Sequence, residues 1–494
     1  QIEKVVQNGF EDGALYNDEL LKLTDVELQD FKDLKGKIGT TKAMAKTADI
    51  DVNNQGFTNE EYEEKERLEK KKKRELTPEE KARLEELKQK NNQRQNAISI
   101  LRGISIRMPL LIYGAELKND EDEITIDNFT QIVDAASWTE FMPKGVTKDV
   151  FRKFKKYYEA DIFREAGKRI RSMARAADNL TVEERIERIA TIFNTFRNPD
   201  KETVLTPWRV VNMHMSDTIG GWCWYDETFD EKTGQLDTPR LVDQGDVTRQ
   251  LFDNVDLAGQ AQTKIIEINS KTGLYPIYTA YSIFKSVKEP EWRKIHLTGE
   301  RGKSKDAEQY YRQAGDDLEI WKDVLQDNIF VVCRTKMAVS ITKRTLAGFR
   351  KDVRLNVRCY EHKVSVNDLI TAGVIKKTDE GVEKIDNTYY FNDHESLPCD
   401  MINVLRAKPE FFQSDVVQGR DFWHVYNSIP TKENEDINNM KFSAVVGNPP
   451  YQVMDGGKTG AMPVYQYCVD IAKELKPIYI SMIMPSRWYA GGRG

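Results

Sequence analysis

Five cysteines in 494 residues, Cys223, Cys333, Cys359, Cys399 and Cys468, are few and odd in number, and no two form a CxxC pair. That argues against a disulfide framework and for a reducing compartment, so a cytoplasmic location is expected. No signal peptide opens the chain, and no apolar run reads as long enough for a membrane span, so no membrane partner is expected. Net charge is −6, which removes the global basic signature of a nucleic-acid binder. A local basic groove is still enough for phosphate contacts. There is no GxGxxG fingerprint and no internal repeat. No PD…ExK metal pattern is present either, since Glu267 and Lys271 have the wrong spacing for one. A metal site is therefore not expected. None of the five histidines is promoted; His214 and His424 lie beside apolar runs and read as packed or surface residues.

A chain of this length implies two or three domains. Hydrophobic residues make up 39%, enough for real cores, while the 31% that are charged are unevenly placed. Residues 1–60 mix short helical patterns with polar loops, and 60–95 are dominated by Glu, Lys and Arg. "LTPEEKARLEELKQKNNQRQNAISILRGI" opens with Thr-Pro and acids, a helix N-terminus. The run from Lys70 to Arg74 can be read as a DNA contact or as part of a solvated helix, and the second reading is preferred. Residues 96–200 carry apolar residues at helical spacing. Thr181 with Glu184 forms a capping-box signature there. The basic stretch from Arg152 to Arg175 reads as a solvated helix face, with a phosphate-facing surface as the alternative.

The texture changes at "VLTPWRVVNMHMSDTIGG". Thereafter short apolar runs alternate with amphipathic helices: "KIIEINS", "NIFVVCR", "FSAVVG" and the final "IYISMIMP", which reads as a core strand. This pattern predicts an α/β fold, a doubly wound and mainly parallel sheet, preceded by a mainly helical domain. Domains are expected at 1–200 and 201–494. Segments 216–262 and 371–440 exceed ordinary βα connections and read as insertions with hairpins.

Three short stretches carry candidate chemistry. "KIIEINSKTGLYP" places Glu267 at a strand end, then a polar turn with Asn269, Thr272 and Gly273, then a helix. Turn amides, a glycine and a helix N-terminus suit a nucleoside cofactor, although the same features make an ordinary βα turn. "LTPWRVV" supplies Thr206 as an N-cap and Pro207 at the first helical position. "GNPPYQ" is more specific. Its prolines stiffen an extended turn at the C-terminal end of a buried strand, where ligands bind in open α/β sheets. The Asn448 side-chain oxygen and the Pro449 carbonyl can both accept hydrogen bonds from an exocyclic amino group. Pro450 helps to hold them, and Tyr451 can stack on the ring.

The Asn-Pro-Pro-Tyr turn resembles the catalytic motif of the γ-type N6-adenine DNA methyltransferases. The order along the chain, "LTPWRVVNMHM", "EINSKTG", "GNPPYQ", is similar to the order of that group. "PVYQYCVDIAKEL" and "YISMIMPSRW" resemble the helix and strand that follow. These matches run from Thr206 to Trp488. The resemblance implies a Rossmann-like domain that binds S-adenosylmethionine through Thr206, Pro207, Glu267, Asn269, Thr272 and Gly273. Asn448, Pro449, Pro450 and Tyr451 would then act on an adenine flipped from double-stranded DNA. Lys271 departs from the pattern by standing where a small residue is usual. The second strand is followed by Cys333 and Arg334 rather than an acid for the ribose, and Asp368 is a candidate for the cofactor's adenine.

"LYNDELLKL", "GISIRMPLLIYGAE" and "SWTEFMPKGVTKDVF" resemble the region joining helicase to methyltransferase in large single-chain restriction–modification enzymes. With the abrupt start and end, that implies a fragment, with a helicase and nuclease upstream and a target-recognition domain downstream. The readings left open are an amino-methyltransferase with another target and a non-catalytic scaffold coupling a motor to DNA contacts.

Overall fold

The computed structural model describes residues 1–7, 10, 13–17, 19–20, 59–71, 75–117, 119, 122–143, 145–196, 205–221, 263–288, 317–353, 355–359, 375–378, 381–384, 442–454, 461–463 and 465–486. The chain divides into two compact units, Gln1–Ala174 with Ile192–Leu205, and Arg175–Thr191 with Thr206–Gly494. Residues 175–191 thus belong with the second unit although they precede residue 200.

The described part of the first unit is helical. It contains α1 (Ile2–Gln7), α2 (Asn59–Lys70), α3 (Pro78–Ser105), α4 (Met108–Gly114), α5 (Phe129–Ile132), α6 (Ala135–Phe141), α7 (Lys148–Phe154) and most of α8 (Ala160–Ala176). Helix α3 begins as its sequence predicts: Thr77 Oγ1 accepts from the Glu80 amide, and the Glu80 carboxylate accepts from the Thr77 amide. Leu68 and Leu76 meet Leu84 and Leu87 in a small core between α2 and α3. Around it Arg83 pairs with Glu64, and Lys88 with Glu69. Lys70 pairs with Glu66, and Lys71 with Glu80. The described end of the Lys70–Arg74 run is therefore matched by nearby carboxylates, and residues 72–74 lie outside the described residues.

The basic stretch along α7 and α8 is balanced in the same way. Arg152 pairs with Asp149, Lys155 with Asp127, Arg164 with Asp161, and Lys168 with Glu123. Arg171 is buried instead and donates to the carbonyls of Ile112 and Ala115. Residues 97–114 correct one reading of the sequence, because their length and apolar composition do match a membrane span. They are 94% buried inside the protein, as the core helix of a folded unit would be. Phe129 sits at the centre of a ring cluster with Trp138, Phe151 and Phe163.

The second unit is built on five parallel strands: β1 (Ile265–Ser270), β2 (Ile329–Cys333), β3 (Asn356–Cys359), β6 (Ala444–Gly447) and β9 (Tyr479–Met482). Their order is β3-β2-β1-β6-β9. This is an α/β, Rossmann-like arrangement in which the strand order reverses between β1 and β6, so the crevice outside that pair is the expected ligand site. Hairpins β4 (Ile375–Thr378) with β5 (Gly381–Lys384), and β7 (Gln452–Met454) with β8 (Ala461–Pro463), are antiparallel. The first falls in the predicted insertion 371–440; residues 222–262 and 385–441 lie outside the described residues. Among the described residues, strand β9 stands at the end of the sheet order beside β6, and Ile480 is 43% exposed.

Every residue of β1 and β6 is buried. Helix α11 (Leu274–Lys288), after β1, is apolar on nearly all sides and buries Tyr275, Tyr278, Tyr281 and Phe284. Helix α12 (Asp317–Asp327) precedes β2, and helix α13 (Lys336–Ala347), after β2, starts at Thr335, whose hydroxyl accepts from the Ala338 amide.

The C-terminus of α13 is capped from residues 175–191, which include the start of α9 (Val182–Thr195). Arg185 donates to the carbonyls of Arg344 and Thr345, and Asp178 accepts from the Phe349 amide. Gly348 adopts φ +67°, and a Cβ there would lie 1.7 Å from Asp178 Oδ1. Arg185→Ala should cost about 2–3 kcal/mol by stranding these helix-end carbonyls and Asp178. Gly348→Ala should also destabilise the fold, with both losses read from urea unfolding beside the parent chain.

Candidate active site

The turn after β1 is shaped by the protein itself. Pairing with β2 is interrupted between Ile268 and Ser270, and Asn269 takes φ +68°, a left-handed conformation that asparagine tolerates. Ser270 Oγ then accepts from the Gly273 amide at 3.1 Å. Thr345 Oγ1 of α13 donates to the Thr272 carbonyl at 2.7 Å. Gly273 is needed for the predicted reason, close approach, but the approaching group is different. A Cβ at Gly273 would meet Thr342 Cα at 3.1 Å and Thr345 Cβ at 3.2 Å, so its small size admits helix α13.

Glu267 is buried at 6% exposure, and its Oε2 has no hydrogen-bond partner among the described residues. Burial raises its pKa from 4.5 to about 8, with Ser270 pulling the other way. The carboxyl is thus neutral near pH 7, until a cation or a set of N–H donors stabilises the anion.

Gly447 ends β6 with φ +147°; a Cβ there would come within 3.0 Å of the Ile268 carbonyl and 3.5 Å of Glu267 Cγ. The tight approach is to the Ile268 carbonyl rather than to Glu267. The following Asn448-Pro449-Pro450-Tyr451 segment is neither helix nor strand, as its prolines require, and its peptide bonds are trans. Asn448 Nδ2 donates to Thr206 Oγ1 at 3.0 Å, while Asn448 Oδ1 is shielded from solvent and has no hydrogen-bond partner among the described residues. Pro449 is buried; Pro450 and Tyr451 are half-buried.

Thr206 is therefore beside the Asn-Pro-Pro-Tyr turn, but not in its predicted capping role. Helix α10 (Trp208–Thr218) has Pro207 as its N-cap, and the Pro207 carbonyl accepts from the amides of Val210 and Val211. The boundary sits one residue later than expected, which frees the Thr206 hydroxyl to hold Asn448. Cys333 ends β2, its thiol 3.6 Å from Thr342 Oγ1, and no acid follows it before α13. Asp368 and His424 lie outside the described residues.

Three further residues have no motif to announce them. His214 of α10 lies with Nδ1 2.8 Å from Tyr275 Oη and Nε2 2.9 Å from Ser481 Oγ. It is packed, as its apolar neighbours suggested, and burial lowers its pKa to about 4. Tyr275 is close enough to Glu267 and Tyr451 for their charges to add to burial in raising its pKa. Asn212 is fully buried on the α10 stripe of Trp208, Val211 and Met215, and neither atom of its amide has a partner among the described residues. Only the helical spacing of that stripe marked Asn212 as inward-facing.

Residues 327–494 match the family described as Eco57I restriction-modification methylase. That stretch includes Asn448–Tyr451 and leaves out Thr206 and Glu267. A segment of 52 residues is 42% identical to a protein of Mycoplasma pneumoniae named "Uncharacterized adenine-specific methylase". The similarity covers 10% of this chain and 12% of that protein.

Two buried groups make opposite contributions to stability. Above pH 4.5 the unfolded chain ionises Glu267 while the folded chain keeps it protonated up to about pH 8, so stability falls with rising pH across this window. Between pH 4 and 6.5 unfolding instead protonates His214, so its contribution rises with pH. Glu267→Gln should therefore gain on the parent chain, by on the order of 1 kcal/mol per pH unit, as pH increases from 5 to 8. Unfolding free energies of both proteins across that range check the sign.

Proposed function

We propose that this chain carries an S-adenosylmethionine-dependent DNA methyltransferase module that modifies adenine N6 on a base flipped out of the duplex. The observation that carries the reading is Asn448, whose amide nitrogen is tied to Thr206 while its oxygen is left without a partner at the sheet's switch point. An acceptor in that position costs about 1–3 kcal/mol until an N–H donor reaches it. The similarity of residues 327–494 to restriction-modification methylases supports the same class.

The residues present fit the methyl donor in part. Glu267 offers a buried carboxyl with an unpartnered oxygen, suited to hydroxyl or ammonium donors, and Thr206 lies next to Asn448. Pro207, Asn269 and Thr272 would shape the pocket through their backbone. Gly273 contributes by letting α13 support the turn rather than by giving way to the cofactor. S-adenosylmethionine, when bound, supplies a methyl group already activated on sulfonium. What remains for the chain is positioning.

Asn448 Oδ1 and the Pro449 carbonyl accept the two hydrogens of the adenine amino group. This draws density onto nitrogen and aims its lone pair at the methyl group. Pro450 holds the turn, and Tyr451 stacks on the base. The acceptors are fixed beforehand, so little reorganises during transfer. The base must leave the stack because its amino group cannot be attacked within the helix. By the resemblances in the first unit, a helicase-like motor with a nuclease and a target-recognition domain would share the polypeptide and set where on DNA this module works.

A second reading, a coupling scaffold without catalysis, is favoured by Lys271 in the turn and the missing acid after β2. Asn448→Ala should lower methyl transfer to adenine by 10²-fold or more, about the effect of deleting one fixed polar contact, while S-adenosylmethionine still binds. Tyr451→Phe should stay close to the parent and Tyr451→Ala should not. Radiolabelled transfer to duplex DNA with nucleoside analysis reads all three. N4-methylcytosine as product would redirect the target, and donor binding with no transfer by the intact chain would favour the scaffold.

A further inference from the structure

Four side chains beside the candidate site are hydrogen-bonded in a single direction. Thr218 Oγ1 donates its hydrogen to the His214 carbonyl at 2.7 Å. A hydroxyl has one hydrogen, so Thr218 must accept from Ser481 Oγ, also at 2.7 Å. That consumes the Ser481 hydrogen, and Ser481 Oγ must accept from His214 Nε2–H at 2.9 Å. A neutral imidazole with its hydrogen on Nε2 has a lone pair on Nδ1. Tyr275 Oη, 2.8 Å away, is therefore the donor of the last bond. The phenol hydrogen is held on His214, and Tyr275 Oη has only lone pairs to offer any other neighbour.

The polarity matters because of what lies nearby. Tyr275 follows the β1 turn at the start of α11 and feels the charges of Glu267 and Tyr451. Glu267 Oε2 is buried without a partner among the described residues. A phenol free to rotate would divide its time between donor and acceptor; one clamped by His214 is an acceptor throughout. At Oη such a group favours a ligand N–H and disfavours a carboxylate or carbonyl.

We propose that His214, oriented by Ser481 and Thr218, is a positioning residue that fixes Tyr275 Oη as a hydrogen-bond acceptor for an N–H-bearing group of a ligand bound beside Glu267 and Tyr451. This deepens the methyltransferase reading and rests on it. Within that reading two N–H sources exist, the ammonium group of S-adenosylmethionine and the amino group of the target adenine. His214 itself touches neither. It acts through Tyr275.

The test uses the full 494-residue chain. In the ligand-free protein, ¹⁵N-histidine spectra should contain one neutral ring in the Nε2–H form that does not titrate near pH 6.5. That signal should vanish in His214→Asn, and in Tyr275→Phe its Nδ1 should shift towards the value of an unbonded lone pair. An Nδ1–H tautomer, or ordinary titration, overturns the proposal without any ligand being involved.

The second arm is calorimetric titration with S-adenosylmethionine, beside KM for duplex DNA. Tyr275→Phe and His214→Leu should each weaken one of these by about tenfold, as loss of a hydrogen bond to a cation or amine would. The double variant should be no worse than either single one. His214→Asn keeps an acceptor oxygen near the Nδ1 position and should recover most of the loss. A change in donor affinity assigns the N–H to the ammonium group; a change confined to the KM for DNA assigns it to the adenine. No change in either, in variants that fold and with a parent that binds, overturns this proposal alone. If the folded parent chain fails to bind S-adenosylmethionine, the methyltransferase reading itself falls and takes the ligand assignment with it.

Discussion

Parallel pairing of Ile265–Glu267 with Ala444–Val446 is the contact on which the second unit depends. It joins two strands far apart in the sequence and sets the two turns that carry candidate chemistry side by side. The strand order reverses at this pair, and in open α/β sheets such a reversal is where ligands are expected to bind. Gly447 eases the pairing in its last step, because any other residue there would press its side chain on the Ile268 carbonyl and have to take up a φ of +147°. A substitution that pushed β6 away from β1 would displace Asn448 without touching it.

The support beneath the crevice has the same logic at one remove. The β1 turn is held by Thr342 and Thr345 of α13, and α13 is terminated by Arg185, Asp178 and Gly348. Thr345, Arg185 and Asp178 each use a side chain to satisfy a backbone group that a helix end or a turn leaves unpaired. Near the candidate site the pattern changes: among the described residues, Glu267 Oε2 and Asn448 Oδ1 have no hydrogen-bond partner, and the buried Asn212 amide has none either.

Sequence periodicity made the sheet legible, and local chemistry made the helix starts legible. Thr77 with Glu80 and Thr181 with Glu184 cap as read, because a capping box is contained within four residues. Asn448 was legible because two prolines leave few conformations for the residue before them. What failed to show was whatever depends on a partner remote in sequence. The Thr206 hydroxyl looked like a cap and instead meets Asn448; Gly273, read as room for a ligand, also admits Thr342 and Thr345. His214 and Tyr275 carry no local pattern, since their bond exists only once α10 and α11 have packed.

The energetic consequence follows from rigidity. A buried acceptor without a partner costs about 1–3 kcal/mol, and a flexible segment would remove that cost by turning the group outward. Here the escape is blocked: Glu267 is anchored in a fully buried strand, and Asn448 precedes two prolines with its amide nitrogen already held by Thr206. The unfavourable energy therefore persists in the free protein, and on the proposed reading N–H donors of a bound ligand would release it. Glu267 adds a second route to the same end, since burial holds it protonated and a bound cation draws the carboxylate back. Binding a positively charged methyl donor would then release a proton near neutral pH. On the proposed reading, the stability that the free site gives up would become selectivity for ligands that are cationic or rich in N–H groups.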